Sequence, residues 1–282
     1  MITFGLLNEL IQENVWDTMV PFKVEMSPKD LISSNIPLPL YYTLPRVSYF
    51  SSIYKDIAKK YEDFLQINLN ELWLEYNGIP LKWQYPIGVL VDSLDMDTSN
   101  GPIALTIRLR EYPKNLLLEY NNASTKYLSY HYLAALKEAD ILKYPLKPKI
   151  LNKMLPELVE KLLHISENNN PKDITEYRKI MNFPDKIEKY PVKLFFCRTN
   201  LILTKAATLP EGEEKKYTIK DFLIEALGNN IYNKVRDQCK ILIHGIEVVE
   251  DECFLFYYFN FNYMDTFLYI SFVDKKIESN NP

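Results

Sequence analysis

Glycine is scarce in this chain, 7 among 282 residues, and cysteine and histidine are scarcer, with 3 of each. The few glycines form no phosphate-binding loop, and His and Cys cluster nowhere at metal-ligand spacing, so no cofactor or metal site is expected. Carboxylates do not pair in any recognisable catalytic motif, which argues against an enzyme in its own right. Cys197, Cys239 and Cys253 cannot all pair within one chain, which fits a reducing compartment and a cytoplasmic protein. Cys239 and His244 are the one combination of nucleophile and base worth weighing. On a single extended strand, positions five apart point to opposite faces, so a buried thiol and a satisfied imidazole are expected instead.

Positive charge in excess is also missing. With 33 Lys and Arg against 37 Asp and Glu, the formal charge is −4, which excludes the basic footprint that phosphate backbones require. No apolar run approaches the roughly 20 residues of a spanning helix, so any membrane contact is expected to be peripheral. The N-terminus, MITFGLLNELIQENVW, lacks the basic start and cleavage site of a secretory signal, and Glu9 and Glu13 speak against an organellar presequence. A short amphipathic helix is expected there.

Aromatic residues are abundant, with 21 Tyr and 14 Phe in a chain that is 47% hydrophobic. Such rings supply large side-chain interfaces, and the length allows about two domains. Ile103, Leu105, Ile107 and Leu109 alternate with Ala104, Thr106, Arg108 and Arg110, the period of a strand with one wet face. Val47, Phe50, Tyr54, Ile57, Tyr61 and Phe64 recur at helical steps instead. Strands at Val20 to Glu25 and Pro39 to Leu44 precede that helix. A strand at Leu72 to Tyr76 and a short helix at Tyr85 to Leu94 follow it. This is the element order of a ubiquitin-like β-grasp.

The order returns later in the chain. Val192 to Cys197, a second strand to about Leu209, a helix through Ile219, Phe222, Leu223 and Ala226, Ile241 to His244, a short helix near Phe254 to Phe259, and Phe267 to Val273 repeat it. Thr43-Leu44-Pro45 recurs as Thr208-Leu209-Pro210 and Gly78-Ile79 as Gly245-Ile246, which suggests an internal repeat. Between the copies, Leu155, Leu158, Val159, Leu162 and Ile165 show helical spacing, interrupted by breakers at Pro145 to Pro148 and Ser166 to Pro171. The predicted fold is α+β: two ubiquitin-like β-grasp domains flanking a helix-rich segment. Its parts are 1–113 with the N-terminal helix, 114–190, 191–274 and a polar tail over 275–282.

Several islands are more specific than a core requires. Leu44-Pro45-Arg46-Val47-Ser48-Tyr49, Trp73 to Tyr76, Gly78-Ile79-Pro80-Leu81-Lys82-Trp83 and Tyr85-Pro86-Ile87-Gly88 stand close together. Leu136-Lys137-Glu138-Ala139-Asp140 and Ile243-His244-Gly245-Ile246-Glu247 follow in order. In these islands the chain resembles the autophagy protein 5 family. The resemblance implies that Lys137 accepts the C-terminal glycine of the ubiquitin-like autophagy protein 12 through an isopeptide bond. It further implies a groove for the N-terminal helix of autophagy protein 16. The assembly would then be a ligase-like complex that acts with autophagy protein 3 to join autophagy protein 8 to phosphatidylethanolamine. Recruitment to the phagophore assembly site membrane during autophagosome formation follows from that role. The alternative is a noncovalent binding scaffold in the same pathway, with Lys137 not conjugated.

The residues themselves give each site a physical test. On a helix over about Leu128 to Lys143, the residues Leu128, Tyr132, Ala135, Leu136 and Ala139 gather on one side and Lys137 points away. Lys126, Lys143, Lys147, Lys149 and Lys153 are nearby rivals. Trp73, Trp83 and Tyr85 are expected first to pack the core or the domain boundary and second to touch a partner. Arg46, read as starting the helix after Pro45, would offer its planar fork to an acidic partner at the groove.

Overall fold

The computed structural model describes residues 8–31, 37–62, 68, 71–119, 127–145, 157–158, 160–162, 164, 177, 181, 187–197 and 201–275. The first half carries α1 (Glu9–Asp17), β1 (Met19–Met26), β2 (Leu40–Pro45), α2 (Tyr54–Lys60), β3 (Trp73–Tyr76), β4 (Ile79–Pro80), α3 (Ile87–Ser93) and β5 (Ile103–Arg108). Asn8 caps α1 by accepting from the amides of Leu10 and Ile11. Ile103, Leu105 and Ile107 are buried while Ala104 is exposed, so the alternation read in the sequence is the inside and outside of β5.

After α4 (Tyr127–Lys143) the second half carries β6 (Tyr190–Phe196), β7 (Leu201–Ala207), α5 (Ile219–Leu227), α6 (Asn229–Gln238), β8 (Cys239–Ile243), β9 (Ile246–Glu247), α7 (Phe254–Phe261) and β10 (Leu268–Asp274). The two sheets have matching orders, β2-β1-β5-β3-β4 and β7-β6-β10-β8-β9. In each, the first and last long strands pair in parallel, Phe22 opposite Ile103 and Val192 opposite Leu268, with a helix crossing over the face. That is the ubiquitin-like β-grasp, present twice.

The duplication can be checked at the hairpins. Asn77 (φ 49°) and Gly78 (φ 79°) turn β3 into β4, and His244 (φ 51°) and Gly245 (φ 79°) turn β8 into β9. Two consecutive positive φ values are those of a type I′ hairpin, which suits the twist of the flanking strands. The Gly-Ile repeat is therefore structural. The Thr-Leu-Pro repeat is out of step: Thr43 to Pro45 lie inside β2, whereas Thr208 follows the last residue of β7, Ala207.

Other differences from the sequence reading have local causes. The helix expected from Val47 begins only at Phe50 as a short 3-10 turn, followed by α2, and Phe64 lies outside the described residues. The carbonyls of Arg46 and Ser48 accept from the amides of Gly88 and Ile87, so they are not available to an α-helical ladder. Arg46 thus occupies the turn after β2, not a helix start. Helix α6 was not anticipated, because it begins directly after Gly228 (φ 80°), which ends α5, and buries only Tyr232. Pro145 stands just beyond the end of α4, as expected of a breaker. Leu158 and Leu162 are helical as their spacing predicts, while Leu155, Val159, Ile165 and the breakers at Pro148 and Ser166 to Pro171 lie outside the described residues.

The two domains do not stand apart. One hydrophobic cluster runs from Val15 through Ile107, Leu136 and Leu194 to Phe272. Helix α3 packs on β10 and α4 packs on β6. Helix α1 reaches α7, where Asn260 Oδ1 accepts from the Asn8 amide at 2.7 Å and Trp16 meets Tyr177. No described helix is long and apolar enough to cross a membrane.

Candidate functional site

One junction between the domains is built on Arg46 and Asp92. Its guanidinium is buried, forms an ion pair with Asp92 Oδ1 and donates to the carbonyl of Gly88 at 3.1 Å. The other carboxylate oxygen of Asp92 accepts from the Gly245 amide, at the tip of the β8–β9 hairpin, at 2.8 Å. Burial pushes the Asp92 carboxyl above its ordinary range, opposed by the pull of Arg46 and the Gly245 amide. Gly88 permits the approach: a Cβ there would lie 2.5 Å from the Tyr263 hydroxyl and 3.1 Å from Arg46. The imidazole of His244 stacks on Tyr263 at 4.1 Å between ring centroids, and burial together with the Arg46 charge pushes its pKa down to about 3. The acidic group that Arg46 meets therefore belongs to this chain, and Arg46 lies beneath the surface that the sequence reading gave it.

The three predicted aromatic residues are packed rather than displayed. Trp73 donates Nε1 to the Arg110 carbonyl at 3.1 Å and carries the Arg108 guanidinium 5.1 Å above its ring, all within the first domain. Trp83 donates to the Leu118 carbonyl at 2.9 Å and meets His131 of α4 edge-on, which joins the first domain to the middle segment. Tyr85 sets its ring at 90° to Phe195 at 5.0 Å and joins the first domain to the second.

Above these contacts lies a small groove to which all three parts contribute. Ile79, Pro80 and Leu94 line it from the first domain, Leu116 from the connecting segment, and Phe196 and Leu201 from the second domain, around about 90 Å³ of open space. Ile79, Leu116 and Leu201 are 47%, 49% and 46% exposed, so the mouth of the groove is apolar and open. Lys82 also lines it, and burial lowers its pKa.

Lys137 lies on the outer face of α4. Tyr130, Ala134, Lys137 and Ile141 form one exposed stripe, whereas Tyr132, Leu136, Ala139 and Asp140 are buried beneath the helix. Of the expected inner stripe, Ala135 is only half-buried and the Leu128 side chain lies outside the described residues. Tyr132 donates its hydroxyl to the Met264 carbonyl at 3.0 Å, which fixes the helix to the second domain. Among the rival lysines, Lys143 is half-buried and its pKa is pushed down to about 8 by burial. Lys126, Lys147, Lys149 and Lys153 lie outside the described residues.

Cys239 and His244 are not a dyad. Cys239 begins β8 beside Asp274, while His244 has left the strand for the hairpin and stacks on Tyr263. Among the described residues there is no group of three His, Cys, Asp or Glu placed to hold a metal ion. The residues that sequence reasoning missed are Asp92, Tyr263, Glu138 and Lys193. Glu138 sits inside one of the quoted islands and Asp92 just past another, but their partners are 46 to 153 residues away in the chain.

Two family models match the chain: that described as "Autophagy protein ATG5, UblA domain" over residues 15–109 and that described as "Autophagy protein ATG5, UblB domain" over residues 189–272. Autophagy protein 5 of Drosophila melanogaster is 25% identical over 274 residues, covering 93% of this chain and 96% of its own length. Autophagy-related protein 5 of Caenorhabditis elegans is 24% identical, covering 91% and 94%. The crystal structure of Kluyveromyces marxianus Atg5 superposes with a TM-score of 0.79 at 20% identity, covering 95% of this chain and all of that one, a likeness of fold.

Proposed function

Given that the chain belongs to the autophagy protein 5 family, we propose that it acts in autophagy as a non-catalytic scaffold, joined at Lys137 to the ubiquitin-like autophagy protein 12. The observation that carries this reading is the exposed Lys137 at the centre of the outer face of a helix that is docked on the second domain. A lysine ammonium must lose a proton before it attacks a thioester, and an acceptor leaves that task to the conjugating enzyme. No base beside Lys137 is needed in this chain.

The apolar groove is the site proposed for the N-terminal helix of autophagy protein 16. A helix laid across Ile79, Leu116 and Leu201 would bury one side chain of each contributing part, which is the helix-in-groove mode of recognition. Arg46, Trp73, Trp83 and Tyr85 would act on that groove by holding its walls. With both partners bound, the assembly would promote transfer of autophagy protein 8 from autophagy protein 3 to phosphatidylethanolamine by positioning the reactants. That raises effective concentration at the phagophore assembly site without donating catalytic groups.

The groove is tested by Leu201→Arg, which places charge at the mouth and leaves the core untouched. Affinity for the helix peptide, measured by calorimetry, should fall about tenfold or more, as for loss of a central interface anchor. Unchanged affinity would remove the groove from the proposal.

A further inference from the structure

Glu138, the residue after Lys137, makes contacts with the second domain that packing of α4 does not require. Its Oε2 accepts from Lys193 Nζ at 2.9 Å and its Oε1 faces Thr204 Oγ1 at 3.3 Å. Lys193 on β6 is itself buried, with its Nζ 4.1 Å from the Phe267 ring, and its charge opposes the burial that pushes the Asp265 carboxyl up. Thr204 is on β7, the neighbouring strand. One carboxylate thus holds two strands of the second domain, β6 through Lys193 and β7 through Thr204.

Successive residues on a helix are set about 100° apart, so fixing one azimuth fixes the next. The buried Tyr132, Leu136 and Ala139 set the face of α4, and with Glu138 drawn to β6 and β7 as well, Lys137 is held on the outer stripe with Tyr130, Ala134 and Ile141. Lys143, on the same helix, is half-buried. We propose that Glu138 is the positioning residue for acylation at Lys137, and that its clamp to Lys193 and Thr204 selects this lysine over the others of the middle segment. The inference rests on the reading of Lys137 as the acceptor.

The step it serves is aminolysis of a thioester. The neutral Lys137 amine attacks the C-terminal glycine carbonyl of the ubiquitin-like protein held on the cysteine of its conjugating enzyme. A C–N bond forms, the C–S bond breaks, the sulfur leaves as thiolate, and the proton lost by the nitrogen is taken up by that thiolate or by water. Angular error in the amine reduces the rate steeply, since about 1 Å of misplacement can cost up to about a hundredfold.

The test is acylation of the full chain by purified conjugating enzyme charged with the ubiquitin-like protein, with the modified lysine located by peptide mass mapping. Glu138→Ala should slow the Lys137 adduct about tenfold and spread acylation to other lysines. Glu138→Gln, whose carbonyl still accepts from Lys193 and whose amide can reach Thr204, should restore the selectivity. Melting temperature and binding of the groove helix are read in parallel, and Thr204→Val provides a milder loss should the alanine variant fold poorly. Wild-type rate and selectivity in Glu138→Ala would overturn the proposal, as would a loss of conjugation that tracks loss of folding without rescue by glutamine. A Lys137→Arg variant acylated to the wild-type extent would instead overturn the acceptor reading on which the proposal rests.

Discussion

Arg46 and Asp92 are each 6% exposed, and charges so far from water hold only as a pair. Removing one partner leaves the other buried and uncompensated, so Asp92→Ala should destabilise the fold by about 3–5 kcal/mol in urea unfolding. The double variant Arg46→Met with Asp92→Leu should cost clearly less than the two single changes added together. His244 makes a separate prediction about pH. Its folded pKa is about 3, and an unfolded histidine titrates near 6.5, so between those values the unfolded chain takes up a proton that the folded chain excludes. Stability is therefore lost as pH falls through 6.5, by about 2 kcal/mol at pH 5 from this residue. His244→Asn, which places at this turn the residue type that Asn77 supplies in the other copy, should remove that part of the acid loss in unfolding curves at pH 7 and pH 5.

At the scale of elements, the hairpin glycines allow a paired comparison. Gly78 and Gly245 both have φ 79°, so alanine at either carries the left-handed penalty of about 1–2 kcal/mol. A Cβ at Gly78 meets nothing within 4 Å, whereas at Gly245 it meets the Arg46 guanidinium and Asp92 at 3.4 Å. Contact at 3.4 Å is ordinary packing, so Gly245→Ala and Gly78→Ala should lower the melting temperature by similar amounts, and a much larger loss at one of them would contradict the shared hairpin geometry. The same elements show what was legible in the sequence. Periodicity placed β5 and α4 within a residue or two of their bounds, because one face of each is buried and the other wet. Helix α2 was overextended because Arg46 and Ser48 give their carbonyls to α3, a contact across the fold that no local pattern records. Helix α6 was missed because its apolar stripe is thin and a glycine stands at its start. For the site, the outward direction of Lys137 was legible from helical spacing, but the clamp on Glu138 was not, since Lys193 and Thr204 are 55 and 66 residues distant.

At the scale of the molecule, two β-grasp domains share one apolar cluster, and α1, α3 and α4 each cross or close the boundary. The architecture predicts one cooperative unfolding transition, with near-ultraviolet and far-ultraviolet circular dichroism changing together. Two separated transitions would mean that the domains fold independently and that the groove between them is not preformed. A shared core of this kind would suit the proposed scaffold, which would hold an amine and a groove at fixed separation while other proteins carry out the chemistry. The central claim is that Lys137 is the acylated residue. Its most direct test is the denatured mass of the protein isolated from its own cells, beside a Lys137→Arg version. The account predicts one added ubiquitin-like chain on the native protein and none on the variant; both at the unmodified 33.3 kDa would contradict it.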